Sequence, residues 1–259
     1  MRIVILSDVH ANLAALEAVL AHAGAGGALD AVWCLGDTVG YGPQPSACIS
    51  RLREENATLV AGNHDRAATG AMDVDEFNSD AATAALWTRG QLGADDAGYL
   101  DSLPEVAYAP FEGDPSLQAG ASEFTLVHGT LSSPLWEYLY SHEAARAHLD
   151  LQRTPFSLVG HTHVPLLVVD GEDGPQGCEL YALGDGDRVE LSDGRRLVIN
   201  PGGVGQPRDG DPRSAYAVYD TEPATVTIHR VEYDIAATQK LMAEAGLPRW
   251  LIERLSLGR

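Results

Sequence analysis

The sequence predicts an α/β protein in which two mixed sheets face each other and helices lie on their outer sides. Two observations support this prediction. In the first half of the chain, apolar strand-like runs alternate with helical segments, an order typical of a parallel sheet. In the second half, most segments are strand-like and are joined by loops. Because no long linker interrupts the 259 residues, we predict a single domain over residues 1–259.

The first half begins with a run of Val, Ile and Leu, which predicts a buried strand. Apolar residues then recur at helical spacing from Leu13 to Leu20, and the glycines after residue 23 end this helix. The predicted elements of this half, in chain order, are a strand at 3–6, a helix from residue 13, a strand at 31–35, a helix at 46–53, a strand at 57–61, an Ala-rich helix at 78–92 and a further helical stretch at 95–100.

The second half contains mainly predicted strands. These lie near 105–109, 123–128, 156–160, 164–169, 196–199, 215–220 and 225–231. Helices are predicted at 142–151, 234–245 and 248–256. Residues 171–187 are rich in Gly, Asp and Glu, so we predict turns or a surface excursion there.

The formal charge is 17 − 37 = −20. A surface this acidic repels nucleic-acid backbones and anionic membranes, so we expect neither duplex nucleic acid nor a membrane as the main partner. No run reaches the roughly 18 apolar residues of a membrane span, and the first residues lack the pattern of a signal peptide. The three cysteines form no CxxC pair. We therefore expect a cytoplasmic protein, and the sequence leaves its oligomeric state open.

Five short motifs made of metal-binding residue types each follow an apolar run. An Asp or Asn after a strand is commonly turn chemistry, and a lone His is more often structural than a ligand. Five such motifs at strand ends outweigh both alternatives, because open α/β sheets carry their sites at the carboxyl ends of strands. The motifs are Asp8-Val9-His10, Gly36-Asp37, Gly62-Asn63-His64-Asp65, His128-Gly129 and Gly160-His161-Thr162-His163. The remaining histidines are predicted to be structural: His22, His142, His148 and His229.

The ligand types in these motifs are carboxylate, imidazole and amide. Such a set suits Mn, Fe, Zn or Mg rather than a metal that prefers thiolates, and we predict two divalent ions with Mn²⁺ first. Asp37 can bridge two cations with its two oxygens, which makes a two-metal centre the expected arrangement. The predicted ligands are Asp8, His10, Asp37, Asn63, His128, His161 and His163.

His64 lies between Asn63 and Asp65, so its side chain is free for another role if Asn63 binds metal. We predict that His64 is catalytic, either as a general acid that protonates the leaving alkoxide or as a hydrogen-bond donor to a phosphoryl oxygen. Asp65 is predicted to orient its ring, as carboxylates often do for histidines.

The motif series resembles that of the calcineurin-like metallophosphoesterases, over most of the chain. That resemblance implies a four-layer α/β/β/α sandwich with a dinuclear site at the sheet edge, and hydrolysis of a P–O bond by in-line attack of a metal-bridging hydroxide. It also implies how the ligands divide. One metal would be held by Asp8, His10, Asp37 and His163, and the other by Asp37, Asn63, His128 and His161, with His64 as the catalytic histidine.

Further segments resemble the small prokaryotic branch of this family, whose members are similar to phosphodiesterases. These segments are Gly40-Tyr41-Gly42-Pro43, Pro134-Leu135-Trp136-Glu137-Tyr138 and residues 200–208. The last is rich in glycine and ends in Arg208, which is a candidate phosphate contact together with Asn63 and His64. A plain turn between strands is the alternative interpretation of that segment.

One departure from the family bears on the substrate. In the protein Ser/Thr phosphatases of the superfamily, Gly-Asp is continued by Asp-Arg-Gly, whereas here Gly36-Asp37 continues with Thr38 and Val39. A phosphodiesterase acting on a small phosphorylated substrate is therefore our first prediction, and a phosphomonoesterase or nucleotide pyrophosphatase is the second. The rival from another class is a non-enzymatic interaction scaffold, which the complete set of ligand positions disfavours.

Overall fold

A computed structural model describes residues 1–109, 124–171, 174–191 and 194–259, and these residues form two mixed sheets of six strands each. In order across the first sheet, the strands are β3 (Thr58–Leu59), β2 (Ala31–Cys34), β1 (Arg2–Leu6), β11 (Ser214–Asp220), β12 (Thr225–Val231) and β9 (Arg188–Glu190). In order across the second, they are β4 (Val106–Ala109), β5 (Phe124–Val127), β6 (Phe156–Leu158), β10 (Leu197–Asn200), β7 (Leu166–Asp170) and β8 (Cys178–Ala182).

Eight α-helices accompany the sheets within the same described residues. They are α1 (Leu13–Ala25), α2 (Pro45–Glu54), α3 (Asn63–Thr69), α4 (Ser79–Gln91), α5 (Ala94–Ser102), α6 (His142–Leu151), α7 (Ile235–Glu244) and α8 (Arg249–Glu253). Short 3₁₀ helices span Pro175–Gly177 and Arg254–Leu257. None of the helices in the described ranges combines the length and the apolar character needed to cross a bilayer.

The apolar side chains of β1 show how the layers are built. Successive side chains of a strand point to opposite faces of the sheet. Accordingly, Val4 and Leu6 pack with residues of α1 and α2, whereas Ile3 and Ile5 pack with Phe124 and other residues of the second sheet. On the far side of the second sheet, apolar residues of α6 cover β5 and β10. The order of layers is therefore α/β/β/α, as the family resemblance implied.

Parallel pairing gathers the motifs at one edge. β1, β2 and β3 are parallel neighbours in the first sheet, and β5, β6 and β10 are parallel neighbours in the second. The carboxyl ends of parallel strands lie at the same edge, so each motif leaves its sheet beside the next one.

The structure corrects several predicted elements. Residues 178–182, predicted to lie in turns, form the strand β8 at the edge of the second sheet, where they pair with β7. The strand β9 and the helix α3 were not predicted at all, and α3 begins at the metal motif itself. The strand predicted at 57–61 is reduced to Thr58–Leu59: the N–H of Val60 still donates to Cys34 of β2, but the N–H of Ala61 donates to Pro104, outside the sheet. Residue 123 of the strand predicted at 123–128 lies outside the described residues.

Candidate metal centre

The five predicted motifs meet at the shared edge of the two sheets, and all seven predicted ligands are buried. Asp8 and His10 follow β1, Asp37 follows β2, and Asn63 opens α3 just after β3. From the second sheet, His128 follows β5, and the loop after β6 carries both His161 and His163. The ligand atoms form two groups, within each of which they lie no more than 4.8 Å apart: Asp8, His10 and His163, and then Asp37, His128 and His161.

The backbone turns sharply at these strand ends. Five of the predicted ligands have a positive φ, between 47° and 65°, in the left-handed region that non-glycine residues rarely occupy: Asp8, His10, Asp37, His161 and His163. Each such residue costs on the order of 1–2 kcal/mol relative to the right-handed conformation. Strain of this kind is retained where it positions functional groups, and here it turns side chains toward the space between the sheets.

The first group is tightly packed. His163 Nε2 lies 3.2 Å from Asp8 Oδ1 and 3.2 Å from His10 Nε2. His10 Nε2 lies 3.9 Å from the same Asp8 oxygen. Three potential ligand atoms thus converge on one small volume.

The second group is arranged around His128. Its Nε2 lies 3.3 Å from Asp37 Oδ2, 3.0 Å from His161 Nδ1 and 3.2 Å from Asn63 Oδ1. Asn63 therefore lies with this group, as the family resemblance implied, and adds a neutral amide oxygen to its carboxylate and imidazoles.

Asp37 connects the two groups. Its Oδ2 lies 3.3 Å from His128 Nε2 in the second group and 3.6 Å from His10 Nε2 in the first. Its other oxygen, Oδ1, accepts a hydrogen bond from the backbone N–H of His64 at 2.9 Å. One carboxylate oxygen is thus fixed by the start of α3, and the other lies between both groups.

Hydrogen bonds to main-chain carbonyls set the tautomers of four histidines. When one ring nitrogen donates its proton to a carbonyl, the other presents a lone pair. The Nδ1 atoms of His10, His128 and His163 contact the carbonyl oxygens of Val39, Leu35 and Gln206 at 3.1, 2.8 and 2.5 Å, which leaves each Nε2 as ligand atom. His161 is reversed: its Nε2 contacts the carbonyl of Trp136 at 3.2 Å, and Nδ1 faces the centre.

The residues present fit two divalent cations. Asp8 Oδ1 and Asp37 Oδ2 are buried and have no hydrogen-bond partner, an arrangement that is costly unless a cation compensates it. Burial works to raise the pKa of both carboxyls, but His163 holds the pKa of Asp8, and His128 that of Asp37, well below the usual range. Conversely, burial works to lower the pKa of His128, and Asp37 outweighs it and raises that pKa to about 9. A bound cation would take the place of the proton on such a histidine.

His64 lies beside this centre and belongs to neither ligand group. Its ring packs against Tyr41, Phe77 and His10 at centroid distances of 4.3, 4.9 and 5.0 Å, and its Nδ1 is buried with no hydrogen-bond partner. Burial, with a further contribution from the positive charge of Arg208, lowers the pKa of His64 to about 4. A neutral imidazole retains one N–H for donation to an oxygen of a bound group.

The prediction that Asp65 orients the His64 ring is wrong. The carboxylate of Asp65 accepts hydrogen bonds from the backbone N–H groups of Gly62 and Val39 at 2.9 and 3.1 Å. It thereby caps the start of α3 and ties it to the loop after β2, because the first amides of a helix have no partner within the helix. Burial, then the nearby Asp37, raise the pKa of Asp65 to about 7. The His64 ring is held by packing instead.

Arg208 reaches the same edge from the loop after β10. Its guanidinium carbon lies 5.8 Å from the centroid of the Tyr41 ring, and its Nη2 donates to Gln206 Oε1 at 3.1 Å. The main-chain oxygen of Gln206 is the one that holds His163. The segment Gln206–Arg208 thus supports the predicted ligand His163 and carries the positively charged guanidinium of Arg208.

Sequence reasoning missed an aromatic stack at the rim of the centre. Tyr138 stacks on the ligand His161 with a centroid distance of 4.0 Å, and Tyr140 stacks on Tyr138 at 5.6 Å. Both tyrosines are exposed, at 43% and 55% of their surface. Tyr138 belongs to a segment that the family resemblance had singled out, but the pattern of residues does not reveal that it stacks.

Asn200 is a second residue that sequence reasoning missed. Its buried Nδ2 donates to the main-chain oxygen of Gly160 at 2.7 Å and to Thr162 Oγ1 at 2.9 Å. These bonds fix the loop that presents His161 and His163. The four histidines predicted to be structural lie outside both ligand groups.

Comparison with known proteins gives a consistent family match. Residues 1–224 match the calcineurin-like phosphoesterase superfamily domain. The chain is 35% identical to the uncharacterized protein MJ0912 of Methanocaldococcus jannaschii over 258 residues, which cover 99% of this chain and 98% of that protein.

Two solved structures are similar over the full length. A crystal structure of a metallophosphoesterase from Sphaerobacter thermophilus is 44% identical, with a TM-score of 0.85, and the match covers 100% of this chain and 99% of that chain. The hypothetical protein PH1004 from Pyrococcus horikoshii OT3 is 20% identical with a TM-score of 0.76, over 100% and 98% of the two chains, and shares the fold.

Proposed function

This chain belongs to the calcineurin-like phosphoesterase superfamily, and on that premise we propose that it is a phosphodiesterase that depends on two divalent metal ions. The family and the two ligand groups support a metal-dependent phosphoesterase. The observation that supports a dinuclear centre is the position of Asp37 Oδ2. It has no hydrogen-bond partner and lies 3.6 and 3.3 Å from one imidazole nitrogen of each group.

The chain's own residues would hold the two ions as the resemblance implies. Asp8, His10, Asp37 and His163 would bind one, and Asp37, Asn63, His128 and His161 the other. When bound, such a pair of cations activates water and stabilises the charge that develops on a phosphoryl group. The carbonyl contacts of the four histidines aim the ligand nitrogens inward, so little reorganisation of the rings is needed when the ions bind.

His64 and Arg208 are proposed to act on the substrate. The His64 imidazole is close to the first ligand group, where its N–H can either protonate a leaving oxygen or donate to a phosphoryl oxygen. Its backbone N–H is committed to Asp37, so the side chain alone is available. Arg208 supplies a permanent positive charge that can pair with a phosphate in a bidentate manner.

A diester is preferred over a monoester because the Arg of the phosphatase motif has no counterpart here. Thr38 and Val39 occupy the positions after Gly36-Asp37, and both are fully buried rather than facing a substrate. The alternatives remain a phosphomonoesterase or nucleotide pyrophosphatase. An interaction scaffold is disfavoured because every ligand position is filled and His64 is present.

The test is hydrolysis after metal removal and replacement. The protein is freed of metal with a chelator and verified as metal-free, then Mn²⁺ is added and bis-p-nitrophenyl phosphate, p-nitrophenyl phosphate, cyclic nucleotides and dinucleotides are assayed. We expect turnover only with metal, and a higher kcat/KM for diesters. Unchanged hydrolysis by the metal-free protein would contradict a metal mechanism, and a preference for the monoester would contradict the diesterase assignment.

We propose Mn²⁺ as the metal, with Fe, Zn or Mg as alternatives, because the ligands are oxygen and nitrogen and the bound ion follows availability as well as affinity. Metal analysis of protein purified without added metal tests this assignment. We also propose a cytoplasmic location and a small phosphorylated substrate. The three unpaired cysteines suit a reducing compartment, and the charge of −20 disfavours duplex nucleic acid and anionic membranes. Cell fractionation tests the location.

A further inference from the structure

Two exposed tyrosines lie on one short segment at the rim of the metal centre. Tyr138 and Tyr140 expose 43% and 55% of their surface, whereas Leu139 between them is buried in the apolar cluster that includes α6. The alternation places both aromatic rings on the outer side of the segment and anchors the segment through Leu139. Neighbouring exposed aromatic surface at the edge of a polar site indicates a place where a ligand binds.

Three contacts fix this segment to the loop that carries His161. The Tyr138 ring stacks on the His161 ring with a centroid distance of 4.0 Å and 14° between the planes. The hydroxyl of Tyr140 donates to the main-chain oxygen of Thr162 at 2.9 Å, and the main-chain oxygen of Trp136 contacts His161 Nε2 at 3.2 Å. Both tyrosine rings are therefore held in place before any ligand binds, which reduces the entropy lost on binding.

The tyrosine rings present faces rather than edges. The planes of Tyr138 and Tyr140 differ by 13°, and their centroids lie 5.6 Å apart. Two nearly parallel rings at that separation are offset, which is the arrangement that aromatic pairs prefer. The offset leaves part of the ring faces uncovered, in agreement with the exposure of both side chains. A planar group can extend such a stack.

The polar atoms of the two tyrosines are committed to the protein. The Tyr140 hydroxyl is bonded to Thr162, and Tyr138 is hydrogen-bonded to the side chain of Arg208. The part of each side chain that remains for a ligand is thus its aromatic face. An aromatic face binds another planar π system by stacking, so the ligand group that fits here is a flat aromatic ring.

The position of the tyrosines relative to the metal centre indicates which molecule would carry that ring. His161 is a predicted metal ligand, so Tyr138 lies one ring contact from the centre and Tyr140 lies two. In a nucleotide, a single sugar separates the aromatic base from the phosphate, which is a comparable spacing. The charge of −20 opposes the binding of a polynucleotide, so a small nucleotide is the better fit.

We propose that Tyr138 and Tyr140 form a stacking platform for the base of a nucleotide substrate. This inference rests on the proposed function, since it takes the metal centre as the place of hydrolysis. The substrate class is then a small nucleotide phosphodiester, with its phosphoryl group at the metals and its base on the tyrosines. Because every base has a π face, the platform favours nucleotides over other diesters without selecting one base.

Two p-nitrophenyl diesters that differ by one base test the proposal: thymidine 5′-(p-nitrophenyl phosphate) and the 1,2-dideoxyribose analogue that lacks the thymine. Both release p-nitrophenolate, so the chemistry at the metals is matched. We expect wild type to have a higher kcat/KM for the thymidine probe. Tyr140→Leu should lower that preference about tenfold, because a stacking contact is lost. Tyr140→Phe keeps the ring and should keep most of the preference.

Tyr140 is the position to vary because Tyr138 touches a predicted ligand directly. The matched control is Tyr108→Leu. Tyr108 is 54% exposed and pairs with Thr125 near the start of β5, at the opposite end of that strand from His128. Its replacement removes a similarly exposed tyrosine away from the centre, so it should keep the wild-type preference.

Three results would overturn the proposal. Wild type with no preference for the thymidine probe would show that no base is bound. An equal loss on both probes in Tyr140→Leu would assign this tyrosine a structural role or a contact with the reacting phosphate. A loss of preference in Tyr140→Phe as large as in Tyr140→Leu would assign the effect to the hydroxyl bond with Thr162 instead of the ring.

Binding measurements separate this proposal from the proposed function. Calorimetry on the Mn²⁺-loaded protein compares adenosine 5′-monophosphate with ribose 5-phosphate, for wild type, Tyr140→Leu and Tyr140→Phe. If neither diester is hydrolysed, the diesterase assignment fails, but tighter binding of the nucleotide that depends on the Tyr140 ring would still support the platform. Equal affinities for the two ligands in wild type would refute it, whatever the enzyme hydrolyses.

Discussion

Each carboxylate of the centre has one oxygen bonded to the backbone and one left free. Asp8 Oδ2 accepts from the N–H of His161 at 3.2 Å, and Asp37 Oδ1 accepts from the N–H of His64 at 2.9 Å. In both, the other oxygen has no hydrogen-bond partner. In each carboxylate the backbone hydrogen bond fixes the orientation of the side chain, and the free oxygen is thereby held in position for a cation.

Replacing Asp37 should cost more metal than replacing Asn63. Asp37 carries the negative charge and lies between both groups, whereas Asn63 offers one neutral oxygen to one of them. We expect Asp37→Ala to purify with fewer than two metals per chain and Asn63→Ala to retain more, as measured by elemental analysis. Retention of two metals by Asp37→Ala would show that its carboxylate does not bridge.

His64→Ala should keep both metals and lose turnover. The ring packs against His10 but is not a member of either ligand group. Its removal should therefore act on the transition state and lower kcat by about 10²–10⁴-fold. Metal content and kcat are measured together. If His64 is the acid, the loss should shrink for leaving groups such as p-nitrophenolate, which need little protonation. An equal loss for good and poor leaving groups would instead assign it to phosphoryl contact.

At the scale of the elements, the loops that follow β2 and β3 approach each other closely at this site. The loop after β3 passes so near the loop after β2 that a methyl group at Gly62 would contact the side chain and the backbone N–H of Asp37. The start of α3 then donates the His64 N–H to Asp37, while Asp65 accepts from the loop after β2. The unpaired amides of a helix N-terminus are thus used to orient a metal ligand.

Gly62→Ala should displace Asp37 and weaken metal binding. The φ of Gly62 is −101°, which any residue can adopt, so the effect is a collision with Asp37 Cγ, which would lie 2.7 Å away. Metal content and activity are measured with Gly90→Ala as the control. Gly90 lies in α4 with open space at its Cβ position, and alanine there should stabilise the helix by up to about 1 kcal/mol. Full metal occupancy in Gly62→Ala would contradict this account.

Helix α6 supports the loop that carries the aromatic stack. The backbone N–H of Leu131 donates to His148 Nδ1 at 3.2 Å, and the fully buried ring therefore carries its proton on Nε2, which has no partner. Burial lowers the pKa of His148 to about 4. Protonation would place a hydrogen on the atom that accepts from Leu131, so the neutral form is the one that fits the fold.

His148 should make stability depend on pH. Its pKa is near 6.5 in the unfolded chain and about 4 in the folded one, so the unfolded state takes up the proton first as pH falls. The free energy of unfolding should therefore decrease between pH 6.5 and 4, by about 3 kcal/mol in total. Denaturant titrations compare wild type with His148→Gln, whose amide oxygen can accept from Leu131. A slope that is equal in the two proteins would rule out this contribution.

At the scale of the whole molecule, the candidate metal centre lies between the two sheets and contains residues from both. Asp8, His10, Asp37 and Asn63 come from the first sheet, and the other ligands come from the second. Beneath them, Ile3 and Ile5 pack against Phe124 and Leu126 of the facing sheet. Both the apolar layer and the ligand groups therefore depend on the same face-to-face packing.

Metal binding should accordingly stabilise the fold. Ions that bind the folded state alone add about 2.7 kcal/mol at a free concentration one hundred times the Kd, which for a chain of this size raises Tm by roughly 5 °C or more. Thermal unfolding is measured in chelator and in saturating Mn²⁺, and Asp37→Ala should lose most of the increase. A Tm that is the same in chelator and in Mn²⁺ would contradict the two-sheet centre.

The sequence by itself predicted which residues lie together in the candidate metal centre. Apolar runs followed by Asp, His and Asn are local patterns, and because strand ends in an α/β protein meet at one edge, the pattern suffices to predict that Asp8, His10, Asp37, Asn63, His128, His161 and His163 lie together. The layer order followed from the family resemblance. Helices with clear periodicity, such as α6 and α2, were predicted to within a residue or two for the same local reason.

Only the tertiary structure decided what depends on contacts between distant segments. β8 is a strand because it pairs with β7, although it lies in a segment, residues 171–187, whose Gly, Asp and Glu content predicted turns. Asp65 caps α3 because that helix starts at the metal motif. Such contacts carry no periodic or local signal, since the partner is chosen by packing in three dimensions and not by spacing along the chain.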